Sequence, residues 1–358
     1  MDEIKPLTSL RGIAALAVVL QHFSTSAQTL TPSWIPSLVP HGYMAVDFFF
    51  VLSGFIMCLT YSPDFRANGM GAFPAFIVKR IARIVPLNVF VVTMVAAAGL
   101  ASRAWLGENI FFDDTRFCFD LVANLLMLHG LGIGENMNGP SWSVSTEFAA
   151  YFLFPLMFWL MFGARRWIAV ATLAIAVGWL CEFATRMPRL RLGGSEVEGH
   201  LIRCFAEFIM GMAAFILYEW RMRCGRRPND WEAGLLMVCA AASLVARIDL
   251  FAALLFPFVV AAVAVNDGKV ARVLSGRVLY FLGLVSFSIY LIHDPIRRFE
   301  VQMVRSLLPD GTGPVAALAL ACAGSLSIVP VAWLAYIWVE RPGRAMVRHW
   351  GMGWARRG

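Results

Sequence analysis

The chain has 358 residues, 59% of them hydrophobic and 15% charged, with a formal net charge of +7 and a mean hydropathy of +0.69. Soluble domains carry about 25% charged residues, so the composition excludes an ordinary soluble enzyme and describes a polytopic membrane protein with room for about ten helices. The basic residues lie in short stretches between apolar runs, which is the topogenic signal of a membrane protein and not a nucleic-acid footprint.

Apolar runs predict spans near residues 7–23, 43–60, 85–101, 143–163, 167–184, 201–218, 231–247, 249–266, 278–296 and 314–338, an all-α integral membrane bundle. A further stretch, Phe117–Gly132, is short, polar at Asp120, Asn124 and His129, and preceded by Arg116, so it reads as an interfacial or re-entrant piece. With the N-terminus inside, 20 of the 30 Lys and Arg residues fall in cytoplasmic segments, and both ends are expected in the cytoplasm. Asp2 and Glu3 lead a polar-interrupted apolar run, unlike a cleavable signal. No repeat or long linker divides the chain. One membrane domain is expected over 1–340, followed by a basic tail, 341–358, whose Trp350 and Trp354 suit an anionic lipid surface. The seven cysteines form no CxxC and indicate neither a disulfide framework nor a metal site.

The first span, LTSLRGIAALAVVLQHF (Leu7–Phe23), carries Arg11 and His22 within an apolar helix. An ionisable group at that depth costs roughly 2.5 kcal/mol or more and marks a functional-site candidate. Eleven positions bring the two back to within about 20° of one direction while separating them by about 16 Å along the axis. One elongated ligand could meet both. In GYMAVDFFFVLSGF (Gly42–Phe55), Asp47 needs a partner, and His22 is the expected one; Ser53 follows in the same span, whose phenylalanines read as packing.

KRIARIVPLN (Lys79–Asn88) sets Arg80 and Arg83 on one helix face, either as topogenic charge or as a fork for phosphates. Pro86 and Asn88 are expected to interrupt that span. In NGPSWSVSTEF (Asn138–Phe148), Trp142 stands at the interface, and Ser143 and Glu147 share a face at i and i+4. Arg203 and Glu207, also four apart, most simply neutralise each other. SFSIYLIHDP (Ser286–Pro295) ends in Tyr290, His293 and Asp294, with His293 either a second acid/base or an interfacial histidine. His41, His129 and His349 have no visible constellation. No GxSxG, P-loop, HExxH or dinucleotide fingerprint is present.

Together these segments resemble the membrane-bound acyltransferase-3 family, whose members O-acylate sugars, lipids and small molecules. The similarity rests on LRGIAALAVVLQHF, VDFFFVLSGF, KRIARIVPLN, NLLMLHGL, GPSWSVSTEF, the Arg203–Gly211 segment and SFSIYLIHDP, in family order along essentially the whole chain. The resemblance implies that the first-helix Arg11 and His22 are tied to activity and that the RxxR pair, Arg80 and Arg83, serves the acyl-CoA donor. Trp142, Ser143 and Glu147 match the family's WSLxxE element, with Val144 in place of leucine. Some members carry an extracytoplasmic hydrolase-like domain; none is expected in this chain, and its acceptor is expected to be handled within the membrane domain.

The expected reaction is transfer of an acyl group, acetyl foremost, from acyl-CoA to a hydroxyl. Arg11, Arg80 and Arg83 would hold the donor's charged end. His22 would act as general base, supported by Asp47 or Glu147, with a covalent acyl-histidine as the other route. Trp142, Ser143, Ser53, Tyr290 and His293 complete the expected acceptor pocket. Acyl-CoA is a co-substrate, with no bound cofactor or metal expected. The expected partners are the bilayer, the donor and a carbohydrate or lipid-linked acceptor chosen by loops such as Ser24–His41 and Thr185–His200. A transporter or flippase of a glycan or lipid is the competing class, since multiple spans and buried charges suit it equally.

Overall fold

The computed structural model describes residues 3–30, 41–113, 115–163, 165–187, 192, 197–225, 229–307 and 314–355. Among these every regular element is helical: α1 (Lys5–Leu30), α2 (Ala45–Asn68), α3 (Phe73–Leu106), α4 (Phe117–Leu125), α5 (Ser141–Phe162), α6 (Arg166–Arg186), α7 (Val197–Arg223), α8 (Asp230–Val245), α9 (Asp249–Val265), α10 (Lys269–Leu274), α11 (Arg277–Leu307), α12 (Pro314–Ala335) and α13 (Arg341–Ala355). A five-residue π-helix, Tyr336–Glu340, joins α12 to α13. The protein is an all-α polytopic membrane protein, and each of the ten apolar runs lies in a helix.

Seven stretches among the described residues have the length and apolarity to cross a membrane, one of them the α2–α3 run Gly42–Leu106. The other two runs are short. At 16 and 17 residues, α8 and α9 rise about 24 and 26 Å, below the roughly 20 residues of a full span. The Phe117–Gly132 stretch contains α4, whose nine residues rise about 14 Å, and a 3-10 turn, His129–Leu131. Between them Met127 adopts a left-handed φ of 56° that is costly for a residue with a side chain. The Ser145 hydroxyl secures this turn by donating to the Met127 carbonyl, and Leu128 N–H donates to the Ala123 carbonyl at 2.8 Å.

The chain forms two compact units and passes between them within α1, α3, α5 and α11. The first comprises Met1–Ala14, His41–Phe76 and Ala149–Leu284. Its centre is the contact of α2 with α7, made possible by two glycines. A β-carbon on Gly54 would lie 2.0 Å from the Phe208 carbonyl oxygen, and one on Gly211 would lie 1.9 Å from that of Val51. Only hydrogen fits there, so the two backbones pack directly. Around them the phenylalanines form edge and stacked pairs, such as Phe76 on Phe154 at 5.0 Å; this is the packing role expected of them.

The second unit comprises Ala15–Pro40, Ile77–Phe148 and Val285–Gly358. The expected interruption at Pro86 does not occur, and α3 runs unbroken through it. An interior proline loses one ladder hydrogen bond and crowds the carbonyl four residues back, yet the helix persists, and Asn88, two residues on, donates its side-chain amide to the Asn124 carbonyl at 3.1 Å. Residues Arg341–Ala355 of the basic tail form α13, in this unit. Gly343 and Gly351 of α13 meet Pro86 and Val78 of α3, where β-carbons would come within 2.5 Å.

His129, for which the sequence showed no partner, bonds through Nε2 to the Ser141 hydroxyl at 3.0 Å. It lies between α4 and α5, outside the spans, and burial lowers its pKa from 6.5 to about 4. A histidine kept neutral by folding resists the proton that the unfolded chain accepts. Stability is therefore expected to fall as pH drops from 6.5 towards 4, by up to about 3 kcal/mol. The H129Q variant should flatten the fall in melting temperature of the detergent-solubilised protein across this window; an unchanged slope contradicts the assignment.

Candidate active site

Two of the candidate residues, Tyr290 and His293, lie on α11 in the second unit. Tyr290, His293, Asp294, Arg297 and Arg298 fall at i, i+3, i+4, i+7 and i+8, one face of the helix. Facing this stripe is His22 of α1. Its Nδ1 lies 2.8 Å from Nε2 of His293, and the ring centroids are 5.0 Å apart. Nδ1 of the fully buried His293 lies 2.6 Å from the Tyr290 carbonyl. A carbonyl can only accept, so Nδ1 of His293 carries the proton. In neutral His293, Nε2 is then a lone pair and accepts from Nδ1–H of His22. That leaves Nε2 of His22 as the unprotonated nitrogen, oriented by a histidine instead of the expected carboxylate.

Asp294 orders two arginines and does not bond either histidine. Its Oδ1 accepts from Arg297 Nε at 3.0 Å and Nη2 at 2.5 Å, and its Oδ2 from Arg298 Nε at 2.8 Å. Arg297 also donates to the Ser26 hydroxyl at 2.6 Å, and Ser26 donates to the His22 carbonyl one turn back at 3.1 Å. Two cations against one anion leave the neighbourhood of His22 electropositive.

The Asn138–Ser143 turn docks on the same helix. Asn138 donates to the Leu291 carbonyl at 3.0 Å, Tyr290 Oη to the Pro140 carbonyl at 3.0 Å, and the hydroxyls of Ser143 and Tyr290 share a hydrogen bond of 2.7 Å. A β-carbon on Gly139 would sit 3.0 Å from Asp294 Oδ2, so the turn approaches as closely as glycine permits. Ser143 thus spends its hydroxyl on Tyr290. Glu147 and Trp142 are half-buried on α5.

Arg80 and Arg83 stand on α3, both half-buried. Arg83 forms an ion pair with Glu340, the last residue of the π-helix, which is 1% exposed. Arg344 donates to the same oxygen, Oε1, at 2.5 Å. The Ser288 hydroxyl donates to Oε2 at 2.7 Å, and the Arg83 guanidinium lies 5.2 Å from the centre of the Phe287 ring.

Asp47, Ser53 and Arg11 belong to the first unit. Asp47 does not serve a histidine there. Both its oxygens are held by Arg203, from Nε at 2.8 Å and Nη2 at 2.6 Å. A planar guanidinium matches a carboxylate in this two-pronged way, and it is Asp47, not the expected Glu207, that Arg203 holds. Glu207 lies fully buried one turn along α7. Ser53 meets the Tyr151 hydroxyl at 3.5 Å, and Arg11 is half-buried on α1. His41 has a constellation after all. It pairs with Asp249, whose Oδ2 accepts from Tyr43 Oη at 2.5 Å and from Leu192 N–H at 3.0 Å.

Residues of these clusters that the sequence reading missed include Arg297, Arg298, Glu340, Arg344 and Asp249. The first two were legible from the 3–4 spacing of polar residues along α11. Glu340 lies 257 positions from Arg83 and Asp249 lies 208 from His41, so no local pattern announces either. Among the described residues no group of three or more His, Cys, Asp or Glu side chains could hold a metal ion.

Comparison with known proteins shows the family. The sequence profile of the acyltransferase-3 family, described as an acyltransferase domain, matches residues 5–337. The chain is 27% identical to acyltransferase MdmB of Streptomyces mycarofaciens over 353 residues, covering 91% of this chain and 86% of that protein. It is 22% identical to the peptidoglycan O-acetyltransferase OatA of Listeria monocytogenes over 334 residues, covering 86% of this chain but only 51% of that protein. The chain thus spans about half the length of the Listeria relative. No solved structure matches it. A profile running through both histidine-bearing helices and both arginine-bearing segments decides the assignment: the chain is an acyltransferase and belongs to the acyltransferase-3 family.

Proposed function

We propose that the protein transfers an acetyl group from acetyl-CoA to a hydroxyl of a glycan or lipid-linked sugar, with His22 as the general base. The observation that carries this reading is the His22–His293 pair. Its hydrogen-bond polarity leaves Nε2 of His22 as a lone pair held by a buried partner, the state a base must have before it acts. In the reaction Nε2 takes the proton of the acceptor hydroxyl as its oxygen attacks the thioester carbon. The C–S bond then breaks, and the proton passes to the departing CoA sulfur. The positive charge on His22 in between is shared through Nδ1–H with His293. Arg80 and Arg83 hold the donor's phosphates, for which guanidinium geometry is suited. The glycan acceptor follows the Listeria relative's name. The protein resides in the bacterial cytoplasmic membrane with both ends inside, as its Lys and Arg distribution favours.

The test is to incubate membranes containing the protein with acetyl-labelled acetyl-CoA. Acceptor-dependent CoA release together with label on carbohydrate is expected. Carbohydrate moved across the membrane without label would instead support transport, a reading with no comparable observation behind it.

A further inference from the structure

We propose that Glu340 is a built-in stand-in for the donor's phosphate, and that Arg344 of α13, together with Arg83, forms the subsite that the phosphate takes over. This rests on the acetyl-CoA reading above and adds to it two residues beyond the segment matched by the family, which ends at 337.

The geometry has three parts. First, two guanidiniums from different helices converge on a single carboxylate oxygen, Oε1 of Glu340. One carboxylate between two arginines leaves a net positive charge, and each guanidinium aims one N–H at the same oxygen. That suits a group with more oxygens and more charge than a carboxylate has, which describes a phosphate. Second, Nε of Arg344 is buried and makes no hydrogen bond. A buried donor left unmade costs stability, so the site is incomplete without a further acceptor. Third, the carboxylate is carried by a π-helical turn. Such turns are rare, weaker than the α-helix around them, and often found at functional sites. A carboxylate on that turn can yield the arginines to a ligand and reclaim them when it leaves. Ser288 holds Oε2 meanwhile.

The consequence is a balance between capture and release. Glu340 lowers affinity for the anionic donor and, by the same measure, for the CoA product, so that product can depart. The experiment compares acetyl-CoA with S-acetyl-N-acetylcysteamine, a thioester donor without phosphate, and reads the ratio of their kcat/KM values in purified wild-type, E340Q, R344A and R344K proteins. E340Q is expected to raise the ratio and tighten product inhibition by CoA about fivefold, and R344A to lower the ratio about tenfold, with R344K between R344A and wild type. A merely structural ion pair would lower turnover of both donors together and leave the ratio unchanged. Wild-type turnover with unmoved ratios, or weaker CoA inhibition in E340Q, overturns the inference alone. Absence of any acetyl-CoA turnover by wild type removes the donor reading and the inference with it. If E340Q does not fold, the R344A and R344K ratios decide.

Discussion

Replacing His22 by alanine should lower acetyl-CoA-dependent acyl transfer about a hundred- to ten-thousand-fold, the usual worth of a positioned general base, with little change in donor KM. The His293 variants separate this role from simple packing. In H293L, Nδ1–H of His22 loses its acceptor at a buried position, which costs about 1–3 kcal/mol and frees the imidazole to rotate or exchange tautomers. Turnover should drop at least tenfold. In H293Q, the amide oxygen can accept the same N–H, because a carbonyl oxygen is an acceptor by nature. Activity should recover to near that of wild type. Steady-state kinetics on purified protein check the series. Full activity in H22A would remove the base assignment, and equal losses in the leucine and glutamine variants would show that His293 acts by shape and not by orienting its neighbour.

The second large effect concerns stability. Arg203 is 2% exposed and Asp47 is fully buried, so removing one partner strands the other charge in a medium that cannot solvate it. R203M should destabilise the protein by about 3–5 kcal/mol, visible as a large loss of melting temperature in detergent. D47L combined with R203M should regain much of it, because two apolar side chains need no solvation. The pair joins α2 and α7 about two turns from the glycine contacts at Gly54 and Gly211 on the same two helices. A double variant no more stable than R203M would show that the ion pair sets the helix contact itself.

Helices were legible in the sequence because a membrane chain satisfies its backbone locally, and a run such as Arg166–Arg186 needs only its own residues to declare itself. His22 was legible for a related reason, since a costly group in an apolar run stands out without knowledge of the fold. Its partner was not. Asp47 was the nearer carboxylate in sequence, yet the bond goes to His293, 271 positions away, while Asp47 is claimed by Arg203, 156 positions away. Partner choice depends on which helices touch, and periodicity within one helix does not carry that information. The expected break at Pro86 failed for a different reason: the close packing of Gly343 of α13 on Pro86 lies beyond any window containing Pro86.

A single helix, α11, touches both ends of the proposed reaction. Ser288 and Phe287 meet the Glu340–Arg83 cluster, and His293 meets His22. From Ser288 to His293 is five residues, about 7.5 Å of helix, with no loop between. The helix is therefore a ruler with two marks. Substitutions can retune either mark, but one inserted residue between them would turn one set about 100° away from the other. Side-chain exchange can therefore adjust either cluster while the helix keeps their relative direction fixed.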